Sequence, residues 1–196
     1  MTWEQLSASD IHLWTCKYTT GQVDTLNRKV LSTYLKQPPQ SIQFVENENG
    51  KPYFKGRSDL FFNLSHSADF LAVGVARSEI GVDIEKLSET RDIESIAQKI
   101  MSEDQYNLFN MIHNPDSRVI AFYRYWTGFE ALVKALGVTQ FSNHISLKKF
   151  VIDDFTNPEV EADGWTINNL KLVQGYSVSV ATQIKDPKFS SFEFLD

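Results

Sequence analysis

Three carboxylates and one lysine stand in two otherwise apolar stretches of this 196-residue chain. Asp83 and Glu85 lie in Gly81-Val82-Asp83-Ile84-Glu85, and Glu130 and Lys134 in Trp126-Thr127-Gly128-Phe129-Glu130-Ala131-Leu132-Val133-Lys134. Two apart on a strand, Asp83 and Glu85 leave one face while Val82 and Ile84 leave the other. Carboxylates so paired repel unless a cation sits between them. Mg2+ suits them, because it takes hard oxygen ligands, keeps several waters and binds through a few carboxylates plus substrate phosphates. An ordinary half-exposed strand with its polar face in water accounts for the pair about as well. Glu130 and Lys134, four apart, share one face of a helix. Phe122, Tyr125, Trp126, Phe129, Leu132, Val133 and Leu136 cover much of the remaining circumference, so the two charges require partners. A surface salt bridge worth about 0.3 to 0.5 kcal/mol is the plainer alternative. If the two segments meet in space, they make a divalent-metal site with a cation beside it.

Asn63-Leu64-Ser65-His66-Ser67 ends an apolar strand with hydroxyls and an imidazole, and a turn there offers these and backbone N–H groups to a phosphate. A serine hydrolase is rejected: neighbours on a strand point to opposite faces, so Ser65 and His66 do not pair, and Gly-x-Ser-x-Gly is absent. Lys51, in Gly50-Lys51-Pro52, is either a solvated turn lysine or a phosphate ligand. His12, His113 and His144 lack metal-ligand spacing.

The elements that must position these residues follow from periodicity. Ile11 to Thr15 alternates as a first strand, and Val23 to Leu35 repeats at helical spacing until Pro38-Pro39. Ser41 to Glu46, the turn Asn49-Gly50 and Pro52-Tyr53-Phe54 form a hairpin. Leu60 to Leu64 and Phe70 to Ala76 are strands flanking Ser65-His66-Ser67, and Ile80 to Ile84 is another. Helices follow at Ile93 to Ile100 and after Ser102, where Ser102 and Gln105 have capping-box spacing. Asn114-Pro115-Asp116 breaks the pattern, and a long helix runs from Arg118 to about Leu136, stopped by Gly137. Ser146 to Ile152, Gly164 to Ile167 and Tyr176 to Thr182 alternate as strands, and Lys185 to Asp196 is a docked tail. Helices followed by antiparallel strands occur twice, which implies an α+β fold of two lobes, residues 1–78 and 79–196.

Composition narrows the function. Nineteen Lys plus Arg against 25 Asp plus Glu give a formal charge of -6, so the overall field attracts no nucleic acid. The single Cys16 excludes an intramolecular disulfide and a cysteine zinc site. The N-terminus lacks signal-peptide character and no apolar run approaches the roughly 20 residues that span a bilayer, so a cytoplasmic protein without membrane partners is expected.

Four segments, Asn49-Gly50-Lys51-Pro52-Tyr53-Phe54, Phe62 to Ser67, Gly81 to Glu85 and Trp126 to Lys134, come in the order and spacing of one family. Over residues 42–138 the chain resembles the 4'-phosphopantetheinyl transferases of the larger, pseudo-dimeric type. The resemblance implies two similar lobes, each an antiparallel sheet packed with helices, with the active site in the cleft between them. It implies coenzyme A as donor, a serine of an acyl or peptidyl carrier protein as acceptor, adenosine 3',5'-bisphosphate as product, and a monomer. Asp83, Glu85 and Glu130 match the carboxylates that hold Mg2+, with Mn2+ as a substitute. Lys134 matches the lysine after the helix glutamate, Ser65 and His66 match positions contacting coenzyme A phosphates, and Lys51 matches the Gly-Lys-Pro lysine. Glu130, directly or through a metal-bound water, would take the serine proton, and Lys134 would steady the departing phosphate.

The chain departs from the pattern in three places. Phe129 stands where the pattern has Lys, and the segment Val138-Thr139-Gln140-Phe141-Ser142 only loosely resembles the usual glycine-bearing loop. The third is upstream, where Lys17, Arg28 and Lys29 replace a basic segment reaching the coenzyme A 3'-phosphate, and Arg28 fits that role best. Two alternatives stand beside the enzyme: a non-catalytic relative that binds carrier protein or coenzyme A, and a two-carboxylate phosphohydrolase acting without a carrier.

Overall fold

The structure, a computed structural model, describes residues 5–139, 150–152, 154–162 and 164–194. Its first sheet is built from β1 (Asp10–Lys17), β4 (Phe61–Ser67), β5 (Phe70–Ala76) and β10 (Lys188–Phe194), ordered β10-β1-β5-β4. Helix α1 (Val23–Leu35) buries Leu26, Val30, Leu31 and Tyr34, and these pack with Leu71, Val73 and Val75 of β5. The apolar spacing i, i+4, i+5, i+8 puts those four on one stripe, so the helix is amphipathic and docks by that stripe. A hairpin of β2 (Phe44–Glu46) and β3 (Pro52–Phe54) lies beside them, as the Asn49-Gly50 turn foretells.

The second sheet, ordered β6-β9-β8-β7, contains β6 (Ile80–Lys86), β7 (Glu159–Ala162), β8 (Trp165–Leu170) and β9 (Tyr176–Thr182). Helices α2 (Ile93–Ile100) and α3 (Glu103–Asn110) lead into α4 (Pro115–Leu136), a 22-residue helix. Eleven of its residues are buried, among them Phe122, Tyr125, Phe129 and Leu132, because one side lies on the sheet and another meets α2, α3, Phe150, Ile152 and Phe155. Mixed helices and mainly antiparallel strands, in two four-stranded sheets and a two-stranded hairpin, make this an α+β fold of two lobes. Among the described residues no helix is long and apolar enough to cross a membrane.

Several sequence expectations change. Helix α4 begins at Pro115, not Arg118: Asn114 caps it by accepting from the Ser117 N–H at 2.9 Å, and Pro at the first position costs no hydrogen bond. Ser102 caps α3 through the Gln105 N–H, but the Gln105 side chain does not complete a capping box. Its amide instead pairs with both backbone groups of Ile152. Ser65-His66-Ser67 is the end of β4 and not a turn; the reversal falls at Ala68, whose φ is 49°. The tail is strand β10, paired parallel to β1 with Ile11 opposite Phe189 and Trp14 opposite Phe192. Strand β7, not expected from sequence, alternates Glu159, Val160, Glu161 and Ala162 but over four residues only. The expected strand from Ser146 falls mostly outside the described residues, as do His144 and the loop residues from Gln140; Phe150 to Ile152 form no strand.

Candidate active site between the two sheets

Strand β4 is an edge of the first sheet and β6 an edge of the second, and side chains stitch them together. Asn63, Ser65 and Ser67, alternate residues of β4, point the same way. Asn63 Oδ1 accepts from the Val82 N–H at 2.8 Å, Ser65 Oγ donates to Asp83 Oδ1 at 2.8 Å, and Ser67 Oγ donates to Glu85 Oε2 at 2.7 Å. Ser67 Oγ also accepts from the Lys86 N–H at 3.1 Å. Hydroxyls and an amide thereby satisfy β6 edge groups that a neighbouring strand would otherwise take.

Across β6 lies α4. A Cβ on Gly81 would stand 1.9 Å from the Ala131 carbonyl oxygen, so only glycine lets strand and helix approach this closely. The approach brings Lys134 Nζ within 2.6 Å of Asp83 Oδ1 and 2.8 Å of Ser65 Oγ. Asp83 is 4% exposed, and burial pushes its carboxyl above the ordinary range, opposed by the Lys134 ammonium and by Ser65. Its second oxygen, Oδ2, is buried without a hydrogen-bond partner. Glu130, one turn before Lys134, is also held above the ordinary range, first by burial and then by the charge of Asp83, with Lys134 opposing. Glu85 contributes repulsion to both.

Among the described residues no three His, Cys, Asp or Glu side chains are gathered as a ready metal cage. The Lys134 ammonium is the cation at Asp83 Oδ1. The donors nevertheless suit Mg2+: Asp83 Oδ2 is an orphaned hard oxygen, and Glu130 and Glu85 are coupled to it by charge. An ion that completes its shell from water and a ligand's phosphates needs no closed protein cage.

The other residues singled out from sequence lie around this centre. His66 is exposed on the opposite face of β4, with Nδ1 3.1 Å from the Tyr18 hydroxyl. Lys51 is buried, its Nζ donating to Glu79 Oε2 at 2.6 Å and to the carbonyls of Ala135 and Ile80 at 2.9 and 3.3 Å. Arg28 holds Asp24 through Nε at 2.8 Å, donates to the Ile42 carbonyl at 2.7 Å and covers the Phe44 ring. A cavity of about 230 Å3, lined by Asn49, Gly50, Lys51, Pro52, Leu64 and Val138, opens beside Lys134. It shares Pro52 and Leu64 with a larger one of about 630 Å3 lined by Asn27, Arg28 and Phe44. The structure thus brings Ser65, Asp83, Lys134, Glu85 and Glu130 together, with Arg28 at the far end of a groove and His66 on another face. Phe129 is fully buried, its ring 5.9 Å from that of Phe150, and takes no part in the groove.

Sequence reasoning offers the Ser67 hydroxyl to a phosphate and does not pair Asn63 or Ser67 with β6; their polar period-two alternation with Ser65 is the signal that could. Thr127, Ser177 and Ser179 had none. Thr127 Oγ1 lies 3.0 and 2.8 Å from Ser177 Oγ and Ser179 Oγ, and those serines stand opposite Glu85 and Asp83 on β9. They give the carboxylates a polar floor that only strand register reveals.

Comparison with known proteins finds a matching family and several relatives. The profile of the 4'-phosphopantetheinyl transferase superfamily matches residues 79–182, more than half of the chain. The chain is 32% identical over 161 residues to 4'-phosphopantetheinyl transferase gsp of Aneurinibacillus migulanus, covering 80% of this chain and 65% of that protein. It is 36% identical over 126 residues to 4'-phosphopantetheinyl transferase HetI of Nostoc sp., covering 62% and 52%. A 4'-phosphopantetheinyl transferase of Bacillus subtilis is 34% identical over 115 residues, covering 58% and 50%. The chain spans between half and just under two thirds of the length of these relatives.

Proposed function

Because this chain belongs to the 4'-phosphopantetheinyl transferase superfamily, we propose that it transfers 4'-phosphopantetheine from coenzyme A to a serine of an acyl or peptidyl carrier protein, leaving adenosine 3',5'-bisphosphate. The observation that carries the reading is the meeting of Lys134 with Asp83 and Ser65 in the cleft between the sheets, beside Glu130. In the reaction the carrier serine oxygen bonds to the pantetheine-bearing phosphorus, and the bond from that phosphorus to the bridging oxygen breaks. The electron pair leaves with adenosine bisphosphate, and the serine proton must go to a base.

Each role follows from environment. Glu130 is the proton acceptor: burial and the neighbouring Asp83 raise its affinity for a proton above that of an ordinary glutamate. Lys134, half-buried and fixed by Asp83, presents its ammonium where charge grows on the departing phosphate oxygen. Ser65 orients both partners, donating to Asp83 and accepting from Lys134. Arg28 borders the groove as a contact for an outer phosphate of the donor, whereas His66 stands on the other face of β4 and lines neither cavity. Asp83 through Oδ2, Glu85 and Glu130 would hold Mg2+, which when bound neutralises diphosphate charge.

The test is mass spectrometry of apo carrier proteins incubated with the protein, coenzyme A and Mg2+. A gain of about 340 Da on the carrier, the mass of the transferred phosphoryl arm, is expected. Asp83→Ala and Glu130→Ala should each abolish it. No gain across a broad carrier panel alongside a working control enzyme, or full activity in both variants, overturns the proposal.

A further inference from the structure

The ammonium of a lysine has three hydrogens to donate. For Lys51 all three meet protein acceptors: Glu79 Oε2, the Ile80 carbonyl and the Ala135 carbonyl. None remains for a ligand phosphate, and the residue is 7% exposed. Its neighbours are telling. Ala135 follows Lys134 on the last turn of α4, and Ile80 opens β6 three residues before Asp83. One buried cation therefore grips both backbones whose side chains meet in the candidate active site.

The rest of the hairpin turn supports that grip. Asn47 Nδ2 and Asn49 Nδ2 both donate to the Gly137 carbonyl, at 2.8 and 3.0 Å. The Asn47 amide is not free to rotate, because its Oδ1 accepts from the N–H groups of Asn49 and Lys51. Gly137 ends the helix at φ 64°, and a Cβ there would lie 2.8 Å from Asn47 Nδ2, so the turn fits against the cap without room to spare. Two amides and a cation thus satisfy carbonyls that a helix C-terminus leaves orphaned, with the charge sign that the helix dipole favours. Glu79 supplies the countercharge that makes burying the ammonium affordable.

We propose that Lys51 is a positioning residue that sets where the Lys134 ammonium stands against Asp83, by tying the last turn of α4 to the start of β6 through the β2–β3 turn. This rests on the transferase reading for its kinetic consequence, and on geometry alone for its structural one. Removing the tie lets the end of α4 drift from β6. Lys134 then no longer meets Asp83 and the departing oxygen in one geometry, while the donor loses no charged contact: Lys51 borders the small cavity, but its ammonium is taken up by protein acceptors.

The test is Lys51→Met in the full chain, assayed with coenzyme A, Mg2+ and an apo carrier protein well below its melting temperature. A loss of about 100-fold in kcat is expected, the scale of a displacement near 1 Å. KM for coenzyme A should stay within about twofold, since no ammonium contact to the donor is removed and methionine keeps a side chain of similar length at the cavity wall. Asn49→Ala, which deletes one milder contact of the same clamp, should lower kcat less and leave KM alone, and it serves where Lys51→Met does not fold. A raised KM with unchanged kcat would make Lys51 a donor ligand and overturn the proposal. So would unchanged kcat and KM with only a lower melting temperature. If the wild-type protein transfers nothing, the transferase reading fails, and a crystal structure of Lys51→Met still decides this one. A Lys134 Nζ to Asp83 Oδ1 separation beyond about 4 Å supports it, and the wild-type contact retained overturns it.

Discussion

Replacing Gly81 by alanine tests whether the approach of β6 to α4 holds both fold and site. The new Cβ would lie 1.9 Å from the Ala131 oxygen, 2.4 Å from the Ala135 nitrogen and 3.0 Å from the Ala131 carbonyl carbon. A carbon and a carbonyl oxygen come no nearer than about 3.3 Å, so strand and helix must separate by more than about 1 Å at this point. The obstacles are backbone atoms, so no side chain can rotate to make room. Overpacking relieved by side-chain shifts costs about 1 to 3 kcal/mol, and this case belongs at or above the upper end. For a chain of this size about 3 kcal/mol lowers the melting temperature by roughly 6 to 12 °C. Ala131 and Ala135 directly follow Glu130 and Lys134, so the same separation moves both side chains away from Asp83. A 1 Å displacement of that kind costs about 100-fold in rate. Circular dichroism melts and the carrier mass-shift rate, taken at a temperature where Gly81→Ala is still folded, give the two numbers. A melting temperature within about 2 °C of wild type and a rate within about twofold would refute the packing argument.

Other outcomes follow from single groups. Lys134→Met leaves the Asp83 carboxylate buried with Ser65 alone, and at neutral pH urea unfolding should show a loss of about 3 kcal/mol, recovered in good part by adding Asp83→Asn. Glu130 has its folded pKa raised by burial and by Asp83, so the native state binds more protons than the unfolded chain. Its ionisation therefore removes stability as pH rises from the unfolded value of 4.5 through the folded one. Glu130→Gln should abolish transfer yet unfold at higher urea than wild type at pH 7, with the advantage gone near pH 4, as paired denaturation curves will show. Tyr34→Phe removes the hydroxyl that accepts from Trp14 Nε1 at 2.7 Å and meets His12 Nδ1 at 2.9 Å. Leaving both without a partner should cost about 2 kcal/mol in thermal unfolding without changing the mass-shift rate.

Local order was legible in the chain where its cause is local. The spacing of Leu26, Val30, Leu31 and Tyr34 dictates α1, Asn49-Gly50 dictates the hairpin, and Gly137 in the left-handed conformation ends α4. Spacing also placed Asp83 with Glu85 and Glu130 with Lys134, because periods of two and about four are properties of strand and helix themselves. The start of α4 was misjudged because Pro115 reads as a breaker and serves as a first helical residue. Ser65 to Ser67 read as a turn because polar residues on an edge strand look like loop until their partners are known.

Those partners were decided only in three dimensions. Strand β10 returns from the end of the chain to lie parallel to β1, a pairing across more than 170 residues that no local pattern encodes. Lys51 looked like a solvated turn lysine or a phosphate ligand; its acceptors lie 28, 29 and 84 residues away. Phe129 looked like a missing cation and is a core residue against Phe150. The sequence by itself determined which residues share a face and, at Asn49-Gly50 and Gly137, where a chain reversal or a helix stop falls, since sterics and hydrogen bonding within a few residues settle those. Tertiary structure decided which faces meet, because that depends on register and close packing between distant segments, and at Gly81 on the absence of a single carbon atom.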